Sequence, residues 1–372
     1  ELHRRPRLLV ALAWYHLFQA EGNAIEPLLR QAEHALTESD ISEPERAKLA
    51  AESMALHAFV SGIHNASTET IELAKRAMEQ LEPAAFAQVA LRLLVGDACF
   101  AHGNWQDALA AYDDAILGSY RLGSSFGEVT AQVKRVNVLR LLGQLSRARQ
   151  DIDALLSRLT EREQAMPYVA MLYVRRAQIA WDKFELEQAL QDAQHGLALA
   201  TRFRDTPSLL DVNPTLATIA RDQGNSEDAQ HYFAAMRDIA SDLPIHHLKI
   251  DERIDALEVW LAYRAAPVWL QRYAKYQDDS ASRFEHVVFA HALLWAGRYH
   301  DAAAYAEKHA RRLWERGYIN YYLLHMVVAV CAYAQLGERE RASERLQDAL
   351  RAGQPEGFVT CFARAGAVLA GV

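Results

Sequence analysis

One spacing constrains this chain more than any other feature. Val95 to Asp114 reads VGDACFAHGNWQDALAAYDD: the end of one helix, a turn at Gly103-Asn104 and the start of a second helix. The same turn returns as GQLSRARQDIDA at Gly143, GNSEDAQHYFAA at Gly224, GRYHDAAAYAEK at Gly297 and GERERASERLQD at Gly337. In each copy an alanine follows five residues after the glycine: Ala108, Ala148, Ala229, Ala302 and Ala342. Phe184 holds the glycine slot of a further copy that ends on Ala189, and Gly22 and Gly62 sit where two earlier copies fall. By subtraction, the steps from Gly22 through Gly62, Gly103, Gly143 and Phe184 to Gly224 are 40, 41, 40, 41 and 40, and Gly297 to Gly337 is 40 again. A fixed period of this size is the mark of stacked supersecondary units, here two helices joined by a tight turn. Glycine suits the turn because the residue just past a helix end often needs positive φ. The recurrent alanine lets the two helices of a pair approach closely.

The pattern predicts an all-α fold, a right-handed superhelix (a solenoid) of about nine helix pairs, forming a single domain over residues 1–372. Turns are expected at Gly22-Asn23 and from Gly62 to Asn65, and a Gly- and Ser-rich connector from Gly118 to Gly127. The repeat at about 243–278 reads as irregular. A turn is due near residue 265, but AYRAAPVWLQRYAKY lies there without glycine, and only 32 residues separate 265 from Gly297. A last helix at about 356–369 is expected to cap the open end, since every repeat exposes an apolar face.

Composition narrows the function. The chain is 51% hydrophobic and 24% charged with a net charge of −8, which suits a globular protein and argues against this segment gripping a phosphate backbone. Cys99, Cys331 and Cys361 are too few and too scattered for a disulfide framework or a zinc site, so a cytoplasmic setting is expected. No apolar run reaches the roughly 18 residues of a membrane span. The chain opens on Glu1 and closes on an apolar tail, GAVLAGV, as a piece of something longer would. His286 and His291 lack an HExxH setting, and no nucleophile sits with an evident base and orienting partner. Neither a metal nor an enzymatic activity is expected.

The helix pairs with their G-N-x-x-x-A turn resemble tetratricopeptide repeats with lengthened helices. Gly96, seven residues before Gly103, matches the small residue of that motif in its first helix, and Ala55, Ala177, Ala217 and Ala290 hold the same slot. The opening RPRLLVALAWYHLFQAEGN, the VWLQRYA of the irregular repeat and the close LQDALRAGQPEGFVTCFARAGAVL resemble the sensor region of MalT-like, LuxR-family, ATP-dependent transcription activators. The resemblance implies a domain that binds an inducer and controls self-association. It places an ATPase domain before this segment and a DNA-binding domain after it. With no G-x-x-x-x-G-K-[ST] in the chain, ATP is expected only on the neighbouring domain, and no cofactor, nucleic acid or membrane contact is expected here.

In tetratricopeptide arrays the positions six and three residues before the turn glycine face the concave groove. Those slots hold Asp97 and Phe100, Asn137 and Arg140, Gln178 and Trp181, Thr218 and Arg221, then His291, with Trp295 at the next inward position. Convergent polar groups and aromatics suit a small polar or amphipathic ligand, and Arg140 and Arg221 flanking Trp181 are placed to clamp an anion. The alternatives are a groove for a peptide or partner protein, and a wet groove in which Arg140 simply pairs with Asp97 or Asp182.

Overall fold

The computed structural model describes residues 5–18, 22–64, 68–82, 86–241, 250–261, 266–272 and 283–372. Among them there are only helices and turns. The helices run α1 (Pro6–Phe18), α2 (Gly22–Glu38), α3 (Glu43–His64), α4 (Thr68–Gln80), α5 (Phe86–His102), α6 (Trp105–Arg121), α7 (Ser125–Leu141), α8 (Leu145–Arg158), α9 (Glu161–Gln164) and α10 (Ala170–Asp182). They continue as α11 (Leu186–Phe203), α12 (Thr206–Asp222), α13 (Ser226–Ser241), α14 (Ile250–Trp260), α15 (Ala266–Arg272), α16 (Arg283–Trp295), α17 (Tyr299–Glu315), α18 (Ile319–Gln335), α19 (Arg339–Gly353) and α20 (Thr360–Ala363). Setting aside the short α9 and α20, eighteen helices remain among the described residues, which is nine successive twos in chain order. The contacts divide the chain into two compact units, residues 1–138 and 139–372.

The turn chemistry follows the expected register. Gly103, Gly143, Gly224, Gly297 and Gly337 have φ between 72° and 81°, the left-handed conformation that a side chain resists. Phe184 has φ 64°, so the phenylalanine in the glycine slot adopts the glycine conformation. The alanines five residues on (Ala108, Ala148, Ala189, Ala229, Ala302 and Ala342) are all fully buried, as are Ala55, Ala177, Ala217 and Ala290 of the first-helix slot. Gly96 shows why that slot is small: a Cβ there would collide with the Tyr112 ring.

The structure corrects several boundaries. Gly62 lies inside α3, where a Cβ would meet Leu94 at 2.7 Å, so it serves close packing and not a turn. Gly22 opens α2. The connector expected from Gly118 to Gly127 shrinks to Leu122–Ser124, because α6 continues to Arg121 and α7 begins at Ser125. The irregular repeat is seen only as α14, the turn residue Leu261 and α15, with the side chain of Trp269 fully buried; the rest of 243–278 lies outside the described residues. The expected cap is not one helix. It is a 3-10 turn at Gln354–Glu356, then α20, then a 3-10 stretch at Gly366–Gly371. Gly357 at φ 75° and Gly366 at φ 50° break it, since neither conformation continues an α-helix.

A second register emerges that links successive pairs. Gly123, Arg204, Gly317 and Gly357 also have positive φ, and each lies 20 residues from a turn residue of the first set: 103 to 123, 184 to 204, 297 to 317 and 337 to 357 by subtraction. The junction between α8 and α10 departs from it. There Thr160 caps α9 through a reciprocal capping box with Glu163, and Pro167 opens a 3-10 turn.

Candidate functional site

In the first unit, Asp97 on α5 accepts hydrogen bonds from the Tyr112 hydroxyl at 2.8 Å and from Lys134 Nζ at 2.8 and 2.9 Å. Burial and the Asp97 carboxylate together push the Tyr112 phenol well above its usual range, so it stays a donor. The Phe100 ring meets Trp105 edge-on with centroids 5.4 Å apart. Asn137 on α7 is half-buried.

The second unit holds the remaining predicted residues, most of them already engaged. Arg140 binds both carboxylate oxygens of Asp182, at 2.6 and 3.1 Å. Asn320 Nδ2 donates to the same carboxylate at 3.2 Å. Gln178 accepts from Arg175 at 2.9 Å and donates to Thr215 at 3.1 Å. The Trp181 indole N–H donates to Asp222 at 2.8 Å. Thr218 donates back to the Pro214 carbonyl at 2.9 Å, and Arg221 donates to the Trp260 carbonyl at 2.8 Å. His291 lies between Trp260 and Trp295, with ring centroids 5.0 and 5.4 Å away. Burial, assisted by Arg221, lowers its imidazole to about 4, so it is neutral near pH 7. Trp295 itself is 42% exposed.

The structure therefore brings Arg140, Trp181, Arg221 and His291 close to a shared set of partners outside those slots: Asp182, one of the two partners expected for Arg140, together with Asp222, Trp260 and Asn320. Asp182, Asp222 and Trp260 are the last residues of α10, α12 and α14. A helix C-terminus carries partial negative charge from its free carbonyls, so three such ends together with two aspartates form a strongly cation-seeking surface. Burial raises the Asp182 carboxyl, with Arg140 and Asn320 opposing it. Asp211, on α12, shows the opposite balance. Burial would raise it, but Arg175 at 3.1 Å and Arg253 at 3.0 Å outweigh that and hold it below the usual carboxylate range. The sequence carried a further signal for both acids. Asp182 and Asp222 each stand two residues before their turn residue, one repeat apart.

The segment after α19 closes onto this surface. The Val359 N–H donates to the Asp182 main-chain carbonyl at 2.9 Å, and the Thr360 hydroxyl donates to the Trp181 carbonyl. Arg364 lies 4.0 Å over the Trp260 ring, 3.6 Å from Asp222, and donates to the Trp260 carbonyl at 3.5 Å. Glu356 accepts from the Ser146 N–H at 2.8 Å, putting a carboxylate at the start of α8. At the neighbouring turn, a Cβ on Gly143 would lie 2.7 Å from Ile319 at the start of α18. The first and last repeats of this unit thus touch. Among the described residues no group of three or more His, Cys, Asp or Glu is arranged to hold a metal, and no helix is long and apolar enough to cross a membrane. The three cysteines are free and buried.

Stacked helix pairs with a polar wall at the first-helix ends define a tetratricopeptide-type interaction scaffold. The profile of the MalT-like TPR region matches residues 51–372, and the chain belongs to that family. Among solved structures it is similar to a Rap protein complexed with Competence and Sporulation Factor, at 12% identity and a TM-score of 0.69, covering 94% of this chain and 98% of that one. It is similar to the apo form of the quorum sensor NprR from B. thuringiensis, at 14% identity and a TM-score of 0.52, covering 93% and 87%. It is also similar to aspartyl phosphate phosphatase F from Bacillus subtilis, at 10% identity and a TM-score of 0.52, covering 96% of each chain. At these identities the likeness is one of fold.

Proposed function

We propose that this chain is the signal-sensing and self-association domain of a MalT-like, LuxR-family transcription activator, and that its second unit recognises a polypeptide segment. One observation carries the reading. The wall built by the ends of α10, α12 and α14 already grips a stretch of polypeptide, residues 359–364, through main-chain and side-chain hydrogen bonds. A surface that satisfies backbone donors and a guanidinium in cis has the chemistry to do so in trans. The described Rap complex, on a similar fold, agrees with a bound factor as the signal. The domain acts by biasing one conformation or one self-association surface over another, which requires only that the ligand bind the two states unequally.

A second reading, a small polar or amphipathic ligand, is favoured by one place. Trp295 is exposed beside the neutral His291, an aromatic shelf next to a hydrogen-bonding ring. Thermal unfolding against sugars, organic acids, acyl compounds and short peptides separates the readings. A ligand at a hundred times its dissociation constant adds about 2.7 kcal/mol of stability. Peptide hits lost in Trp181→Ala support the polypeptide reading. Sugar or acyl hits lost in Trp295→Ala move the function to the metabolite. A flat panel removes both.

A further inference from the structure

We infer that Trp181, Asp222 and Trp260 form an arginine socket, filled here by Arg364 of the chain's own C-terminal segment. We further infer that its ligand in trans is a peptide carrying arginine four residues after a hydroxylated residue. The inference rests on the polypeptide reading above and specifies what that polypeptide must contain.

The socket is built for a guanidinium. Its floor is the Trp260 indole, whose face attracts a flat, weakly hydrated cation better than a compact ammonium. Its wall is Asp222, whose side chain is only 7% exposed and is held in place by the Trp181 indole N–H. Its rim is the Trp260 carbonyl at the end of α14, which also receives Arg221. Four residues before Arg364, Thr360 is 1% exposed and bonds the Trp181 carbonyl, while Val359 bonds the next carbonyl along. The spacing between hydroxyl and guanidinium is one turn of α20, so both anchors reach the wall from the same side of the segment.

The fit in cis is incomplete, and this makes the segment displaceable. The closest Arg364–Asp222 approach is 3.6 Å, beyond a charge-assisted hydrogen bond. Arg364 Nη1 is buried with no hydrogen-bond partner. Burial leaves the Asp222 carboxyl raised despite the Trp181 indole and Arg221, so a closer cation would be welcome. An orphaned buried donor is costly, and a competing segment that seats its guanidinium squarely on Asp222 removes that cost.

The test uses the full chain and two synthetic peptides spanning residues 356–366, one native and one with citrulline, the neutral isostere, in place of arginine. Tryptophan fluorescence reads socket occupancy. The Arg364→Ala chain is expected to bind the native peptide at least tenfold more tightly than the wild-type chain does. The citrulline peptide is expected to bind at least tenfold more weakly than the native one, and adding Asp222→Asn should cost a similar factor. If Arg364→Ala does not fold, Arg364→Met keeps the length and apolar stem and serves instead. Hydrogen exchange on the wild-type chain gives a second readout: native peptide should speed exchange of the Val359 amide. Equal binding of the two peptides would overturn the socket while leaving the wall a polypeptide site. Absence of binding by either peptide to the Arg364 variant would overturn both the socket and the reading beneath it.

Discussion

The two units each pair an aspartate of a first helix with a basic side chain, and they do so differently. In the first, Asp97 sits six residues before its turn glycine and pairs with Lys134, and both side chains stay substantially open to water, 44% and 34% exposed. In the second, Asp182 sits two residues before Phe184 and pairs with Arg140, and the two are 4% and 15% exposed. The difference lies in what covers them. Asn320, Val359 and Thr360 close over the end of α10, whereas Asp97 keeps its solvent. An ion pair in water contributes little, while one sealed under protein is costly to make and far costlier to break in half. One repeat grammar thus yields a surface pair in one place and a structural lock in the other.

The largest expected effect tests that lock. Arg140→Ala leaves Asp182 buried without its cation and should destabilise the chain by about 3–5 kcal/mol in denaturant unfolding. Lys134→Ala, its counterpart in the first unit, should cost under about 1 kcal/mol. Similar losses from the two would end the contrast.

Acid should act next, through the buried histidines of the second unit. His291 is lowered to about 4, by burial and then Arg221. His325 is lowered to about 3, by burial and then the neighbouring His309, His291 and His286. Both take up a proton more readily when unfolded than when folded. Their contribution is therefore complete above about pH 6.5 and is lost as pH falls toward the folded values. Each titrating ring should lower stability by somewhat over 1 kcal/mol per pH unit in that window. Unfolding curves between pH 7 and 4 measure it, and His325→Phe should flatten the slope. An unchanged slope in that variant would place the acid sensitivity elsewhere.

The smallest effect concerns the turns. Gly103 and Phe184 hold the same left-handed position, one in each unit. Gly103→Ala should cost about 1 kcal/mol, since a side chain is strained there. Phe184 is 42% exposed, so Phe184→Gly gives up little packing and should gain a few tenths of a kcal/mol. A clear loss of melting temperature in Phe184→Gly would mean that the ring has a packing role its exposure hides.

The register of the first-helix turns was legible in the chain because each turn residue is chosen locally. Even Phe184 betrayed its glycine-like φ through its place in the count. The partner register was harder. Gly123, Arg204, Gly317 and Gly357 follow no consensus of neighbours, and at the junction ahead of α10 a capping box with Pro167 replaces them. Gly62 misled for a related reason. A glycine can mark a backbone twist or a close neighbour, and only the Leu94 side chain showed which it was.

The site divides along the same line. Arg140, Trp181, Arg221 and His291 could be picked out because slot positions repeat with the helix period. Of their partners only Asp182 was offered for Arg140, as one of two choices beside Asp97; Asp222, Trp260 and Asn320 were not. Asp182 meets Asn320 and the segment around Thr360 only after several repeats have each added a small rotation. Whether the last repeat of a unit returns to its first depends on that sum, to which every turn contributes slightly. The sequence alone settled the helices, their pairing and their small-residue contacts, since these follow from backbone preference and a local apolar period. Only the tertiary structure decided that the C-terminal segment lies on the ends of α10, α12 and α14. Long-range contacts between stretches of unremarkable composition leave no periodic trace, and here they form once the repeats have accumulated enough turn to close.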